Sequence, residues 1–334
     1  MRRRDLLAFF CASAAAWPAR AQAPTTHYRI AMLQPDGRPG GWRKWPLGQA
    51  FSSELHRLGD IEGENLLIEE FSGEGQVGRY ADVARRVAAA NPDVIVAFGD
   101  DIVPAVLAAT RTIPVVAVMG YAVKLGFVKS LSHPGGNLTG VNVYDGETDG
   151  KVLQLLAEAV PSVARVGVLE APAYDLYRAS LRDHAAKLGL SLIVPVLRES
   201  TPEEIEHGFA ELARQHADAL LVAPEGALAG RTPLIVRLAA EHRLPAMYPN
   251  FYFVQAGGLM AYSWEPTEVG RRLADDVHRI LKGAKPGDIP IYQSTRFRLT
   301  LNQNAAKAIG FAFPPEILVR ADEVIEEGNP SRNP

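Results

Sequence analysis

Cysteine is all but missing from this chain: Cys11 is the single one among 334 residues. It lies in an N-terminal stretch that reads as a removable leader. The remainder of the chain therefore has no disulfide, thiolate metal site or cysteine nucleophile available to it. Concentrated positive charge is also missing. The formal net charge is -3, and beyond the N-terminus Lys and Arg gather only in neighbouring pairs, which argues against a nucleic-acid surface. The eight histidines show no H-x-H or H-x-x-x-H spacing, so no metal site is indicated. G-x-S-x-G, H-E-x-x-H and the phosphate-cradling G-x-x-x-x-G-K are absent. No enzyme activity and no cofactor are expected on these grounds. Outside the leader, no apolar run is long enough to span a bilayer.

The leader is residues 1–23. Arg2-Arg3-Arg4 precede the apolar run Leu6–Trp17, and small-residue sites follow at Ala19-Arg20-Ala21 and Ala21-Gln22-Ala23. Basic, apolar, then A-x-A is the anatomy of an export signal. Arg3-Arg4-Asp5-Leu6-Leu7 also fits a twin-arginine pattern. The expected location is the periplasm. Residues 327–334 read as a disordered tail.

The rest is organised around Asn91–Gly120. Val94–Phe98 and Val115–Val118 are unbroken, β-branched apolar runs, as expected of strands buried on both faces of a parallel sheet. Ile102–Thr110 between them suits a short crossover helix, with Asp100 or Asp101 placed to cap it. The same unit returns about 125 residues later. Asp218–Ala223 (DALLVA) parallels Asp93–Phe98 (DVIVAF), and Leu244-Pro245 parallels Ile113-Pro114. Upstream, Arg165–Glu170 (RVGVLE) parallels Arg29–Gln34 (RIAMLQ), and Ser180–Gly189 parallels Ala50–Gly59.

The fold class is thus α/β: two similar doubly wound parallel-sheet lobes joined by a hinge that the chain crosses three times. The expected N-terminal lobe comprises 27–143 plus 259–286, and the C-terminal lobe 144–258 plus 287–326. In this assignment the strand Leu259–Ser263 and the helix Thr267–Lys282 return to the first lobe.

Ligands of open parallel sheets sit beyond the carboxyl ends of the strands. The residues there are the candidate binding set: Gln34, Asp36, Gly99, Asp100, Asp101, Tyr121 and Tyr144 from the first half. The second half supplies Glu170, Tyr174, Glu225, Tyr248, Asn250 and Tyr262. Carboxylates and aromatic rings around one cleft suit a cationic or polyhydroxylated solute. Individually, Asp100 and Glu225 could be helix caps, and Tyr174 and Tyr248 core edges. Gly73-Glu74-Gly75-Gln76-Val77-Gly78 matches G-x-G-x-x-G. An exported NAD(P)-dependent oxidoreductase is therefore the alternative, although Glu69, Glu70 and Glu74 crowd the place of a pyrophosphate.

The chain from Arg29 to Glu326 resembles the extracytoplasmic solute-binding proteins of ABC transporters, in their tryptophan/tyrosine-type subfamily with the periplasmic-binding-protein type I fold. The stretches that carry this are Asn91–Gly99 (NPDVIVAFG), Thr112–Val118 (TIPVVAV), Leu125–Gly140 (LGFVKSLSHPGGNLTG), Ala240–Tyr248 (AEHRLPAMY), Ala256–Tyr262 (AGGLMAY), Ile280–Pro286 (ILKGAKP) and Pro315–Glu326 (PEILVRADEVIE). The resemblance implies a monomer closing on a small-molecule solute and delivering it to membrane permease and ATPase subunits. A ligand-sensing subunit of a signalling system would use the same cleft. In such relatives a hydroxyl residue commonly follows the first strand and another the Gly of the fourth. Here those positions are Gln34 and Asp100, and an ionised Asp cannot donate to a ligand carboxylate.

Overall fold

The computed structural model describes residues 27–35, 41–170 and 175–326. The leader 1–23, the tail 327–334 and the candidate residues Asp36 and Tyr174 lie outside the described residues.

The first lobe opens with β1 (Tyr28–Gln34), α1 (Pro46–Arg57), β2 (Leu66–Ser72) and α2 (Tyr80–Ala89). β3 (Val94–Phe98), α3 (Val103–Ala109), β4 (Val115–Met119) and β5 (Leu138–Asn142) come next. The second repeats the alternation: α4 (Gly146–Ala159), β6 (Arg165–Leu169), α5 (Asp175–Lys187), β7 (Ser191–Ile193), α6 (Pro202–Arg214) and β8 (Ala219–Val222). It continues with α7 (Gly226–Ala229), α8 (Thr232–Glu241), β9 (Ala246–Tyr248), α9 (Phe251–Gln255) and β10 (Met260–Trp264). The closing elements are α10 (Pro266–Leu281), β11 (Tyr292–Gln293), β12 (Phe297–Asn302), α11 (Gln303–Ile309), α12 (Pro315–Arg320) and β13 (Glu323–Ile325).

Two separate sheets result, ordered β2-β1-β3-β4-β5-β11 and β7-β6-β8-β9-β10-β12-β13. The first is parallel throughout; the second is parallel except where β10 meets β12. The central runs are covered on both faces, as their composition requires. Val94, Ile95, Val96, Ala97, Val115, Val116 and Ala117 have no exposure at all. Gly140 inside β5 sits at φ 132° with the Ala117 carbonyl where a Cβ would be. Only glycine lets these two strands meet there.

The leading five strands of the two sheets have the same order, 2-1-3-4-5, which corrects one expectation. The strand near 259–263 does not return to the first sheet. It is the fifth strand of the second, paired with β9 through Met260 and Met247. Gly257 turns at φ 100°, and the Phe253 carbonyl leaves Gly258 no room for a side chain. The chain is thereby folded back beside β9 instead of leaving the lobe. The next helix does cross. α10 packs on α1, and Gly270 lets it approach the Leu47 carbonyl. Val269, Leu273 and Val277 join Phe51 and Leu55 in one buried cluster. Residues 287–293 also differ from expectation, because Tyr292 and Gln293 pair with Val141 and Asn142 of the first sheet. The chain passes between sheets after β5, after β10 and after β11. Among the described residues no helix is long and apolar enough to cross a membrane.

Candidate functional site

The carboxyl ends of the two sheets meet face to face. Pro35, just beyond β1, packs on Gly226 at the start of α7, so closely that a Cβ on Gly226 would lie 2.3 Å from its ring. The Tyr144 hydroxyl donates to the Pro249 carbonyl beyond β9 at 2.7 Å. Trp45 packs on Tyr252 with ring centroids 4.6 Å apart and the planes tilted by 32°. These contacts join the lobes, and the residues at the strand ends lie between or beside them.

On the first lobe, Gly99 adopts φ 102°, a conformation open to glycine at little cost. It turns the chain out of β3, and the Asp100 carboxylate reaches across to accept the Gly120 N–H at 2.8 Å. That bond ties the end of β3 to the end of β4. Asp101 accepts from the Tyr80 hydroxyl at 3.3 Å and faces Gly226 of the other lobe. Burial raises its pKa to about 6, against hydrogen bonds from backbone N–H groups and Tyr80. Neither aspartate caps α3, contrary to expectation. The N-cap position is Ile102, and no side chain caps that end. Gly99 turns the chain so that Asp100 takes the Gly120 N–H instead, while Asp101 accepts from backbone N–H groups at Ile102 and at Ala227 of α7. Gln34 ends β1 and is 9% exposed.

Tyr121 follows β4 with φ 46°, a strained position for a residue bearing a Cβ. Its N–H donates to the Tyr144 carbonyl and its hydroxyl to Asp149 of α4. Burial, with the Asp149 charge behind it, pushes the Tyr121 hydroxyl well above its ordinary pKa.

The second lobe presents its side differently. Glu170 at the end of β6 is 2% exposed and ion-paired with Arg178 of α5. Glu225 stands at the N-cap position of α7 without capping it, and is 5% exposed. Tyr248 stacks on Phe253 at 4.9 Å within the core, and Asn250 caps α9 by accepting the Tyr252 N–H. Tyr262 stacks on Phe297 at 5.3 Å.

Just past the first crossing, on the second lobe's side, Tyr144, Asp149, Tyr177, Tyr248 and Tyr262 line a small cavity of about 10 Å³. A larger one of about 740 Å³ opens beside the second and third crossings, lined by Trp264, Arg271, Arg272, Arg296 and Arg298 among others. It reaches Ser263 and Trp264 at the carboxyl end of β10. The Gly73–Gly78 loop follows β2, the edge strand, and is occupied by its own lobe. The Tyr80 ring and the Pro35 carbonyl fill the space beside Gly73, and Glu74 pairs with Arg79.

The sequence did not single out Asp149, Tyr177, Arg178 or the Pro35–Gly226 contact. Asp149 stands in the first turn of α4, where an acid reads as an ordinary partner of the helix dipole. The repeat itself held the signal for Arg178, since α5 must run beside the end of β6.

A sequence model for the family described as ABC transporter substrate binding protein matches residues 49–325. A curated relative, the tyrosine-binding protein of Clostridioides difficile (strain R20291), is 23% identical over 265 residues, covering 78% of this chain and 75% of its own. A solved structure of a conserved domain protein from Vibrio cholerae superposes with a TM-score of 0.81 at 25% identity, covering 90% of this chain and 100% of that one. An ABC domain from Streptococcus pneumonia in complex with L-Trp gives 0.80 at 22% identity with the same coverage. This chain belongs to the ABC transporter substrate-binding protein family and has its type I fold.

Proposed function

We propose that the chain is the extracytoplasmic capture component of an ABC import system, holding a small polar or cationic solute between its lobes without chemically changing it. The observation that carries this reading is the confrontation of the two sheet ends, with Pro35 seated on Gly226 and the Tyr144 hydroxyl on the Pro249 carbonyl. Contacts made only when the lobes are together give a solute that bridges them a way to shift the open–closed equilibrium. The closed form is the one a membrane permease, driven by its ATPase subunits, would receive. The protein acts as a periplasmic monomer in this scheme.

The solute class follows from charge. Asp100, Asp101, Asp149 and Glu225 stand around the cleft, while Arg178 is paired with Glu170. A bare carboxylate ligand would meet like charge at Asp100. That is an unfavourable contact where little water can screen it. The tyrosine-binding relative handles an amino acid, and the ammonium end of such a molecule is compatible with this cleft.

Thermal-shift screening against a solute library, followed by calorimetry and small-angle scattering on hits, tests the reading. A true solute should raise the melting temperature in proportion to RT ln(1 + [L]/Kd) and reduce the radius of gyration. A library of amines, amino acids and polyols that leaves both quantities unchanged would overturn it.

A further inference from the structure

Asp149 is buried, with 2% of its surface exposed. One carboxylate oxygen, Oδ1, accepts the Tyr121 hydroxyl. The other, Oδ2, has no hydrogen-bond partner among the described residues. Asp149 forms no ion pair there either. Burial raises its pKa to about 6, against hydrogen bonding from Ser180 and Tyr121; Asp145 also raises it and His184 lowers it. His184 is itself engaged with the Gly146 carbonyl at 2.9 Å. Lys124 sits over the Tyr121 ring, 5.9 Å from its centroid.

A carboxylate oxygen shut away from water without a donor is destabilising, because the hydration it loses is not replaced. Sequences do not keep such an arrangement for stability, since an apolar residue of similar volume would remove the cost. An absent donor, supplied from outside the chain, resolves it. The surroundings say what kind. Asp149 lines the small cavity together with Tyr144, Tyr177 and Tyr262. Tyrosine faces attract a cation through the ring quadrupole. At about 10 Å³ the cavity has room for roughly one water-sized group. A primary ammonium has that size, carries three donors and bears the complementary charge. A guanidinium or a quaternary ammonium is too large for the space.

We propose that Asp149, walled by Tyr144, Tyr177 and Tyr262, is the subsite that receives the primary ammonium group of the solute. This deepens the capture reading and rests on it: the subsite lies next to the first crossing between the lobes, on the second lobe's side. The Tyr121–Asp149 hydrogen bond fixes the carboxylate so that Oδ2 is the oxygen left for the ligand. The rest of the solute would extend toward Asp100 and Glu225 as the lobes open to admit it.

The test uses the full mature chain with ethylammonium chloride as probe. Sodium chloride and tetramethylammonium chloride serve as controls at matched ionic strength. Ethylammonium should raise the melting temperature of the wild type beyond both controls. Asp149→Asn, isosteric and uncharged, should weaken its apparent affinity by about tenfold, near 1.4 kcal/mol. An equal effect of all three salts, or an ethylammonium effect that survives Asp149→Asn, overturns the subsite. Should Asp149→Asn fail to fold, Tyr262→Leu removes one wall from a half-buried position. A full ethylammonium shift in that variant counts against the cage.

The two levels fail separately. A library solute without an amine that binds wild type and Asp149→Asn alike leaves the capture reading standing and sinks the subsite. An ethylammonium response lost in Asp149→Asn, with no library solute binding, leaves an ammonium site at Asp149 but removes the capture reading and with it the role of that site in holding a solute.

Discussion

The two lobes share one strand order and handle their cleft carboxylates in opposite ways. On the first, Asp100 and Asp101 are held by neutral donors, the Gly120 N–H and the Tyr80 hydroxyl. On the second, Glu170 is paired with the guanidinium of Arg178. A neutral donor orients a carboxylate and leaves its charge in place; a guanidinium cancels it. The scaffold is thus shared while the charge at its rim differs, and beside Asp149 and Glu225 the negative potential comes from the first lobe.

The comparison is broken most strongly by Arg178→Ala. It leaves Glu170, with 1% of its side chain exposed, inside the second lobe without its cation. A loss of about 3 kcal/mol is expected, at the low end for splitting a buried pair because Arg178 itself is 31% exposed. Denaturant unfolding measures it, and a loss below about 1 kcal/mol would mean the two lobes do not differ as described. Glu170→Gln combined with Arg178→Ala should recover part of the stability.

Gly226→Val acts on the meeting of the lobes instead. Its side chain would collide with Pro35, so closure should cost about 2 kcal/mol. Calorimetry should show weaker solute binding, and scattering an unchanged radius of gyration when solute is added. Normal closure would place the lobe contact elsewhere.

Asp100→Asn sharpens the charge argument, since an amide oxygen can still accept the Gly120 N–H. Affinity for a cationic solute should fall by about 1–2 kcal/mol with the melting temperature nearly unchanged. A neutral solute should be indifferent.

The smallest effect concerns an acid on the scaffold, away from the cleft. Asp276 of α10 is 7% exposed and burial raises its pKa to about 7. A carboxyl whose folded pKa exceeds the unfolded value of about 3.9 binds more protons when folded. Its contribution is therefore complete below about pH 4 and declines as pH rises toward 7. Asp276→Asn should stabilise by about 1 kcal/mol at about pH 8 and by little at about pH 4, as read from the difference between wild-type and variant melts. The opposite slope would show that Asp276 is stabilised as an anion.

Much of the architecture is legible in the sequence because it depends on short-range rules. Buried β-branched runs such as Val94–Phe98, stop signals such as Gly59 and the repeated Leu-Pro or Ile-Pro entry to a strand each declare themselves locally. The fifth strand of the second sheet is harder to place, although the sequence holds what is needed. Leu138–Asn142 shows that the repeat has five strands before it crosses, and the same count assigns Met260–Trp264 to the second sheet. Side-chain partners are another matter. Tyr121 and Asp149 are 28 residues apart and meet only because the first crossing is short and α4 starts at once. No periodicity or motif encodes that meeting, nor that Asp100 would reach for the Gly120 N–H instead of a helix end.

The exchange of helices has a consequence for synthesis. α1 is covered by α10, and β5 gains its edge partner from Tyr292 and Gln293. The half of the protein that emerges first from the ribosome therefore stays unfinished until almost the whole polypeptide exists. A fragment ending before residue 266 would display Phe51 and Leu55 to solvent, and neither half should survive as an independent piece when the gene is cut at its midpoint.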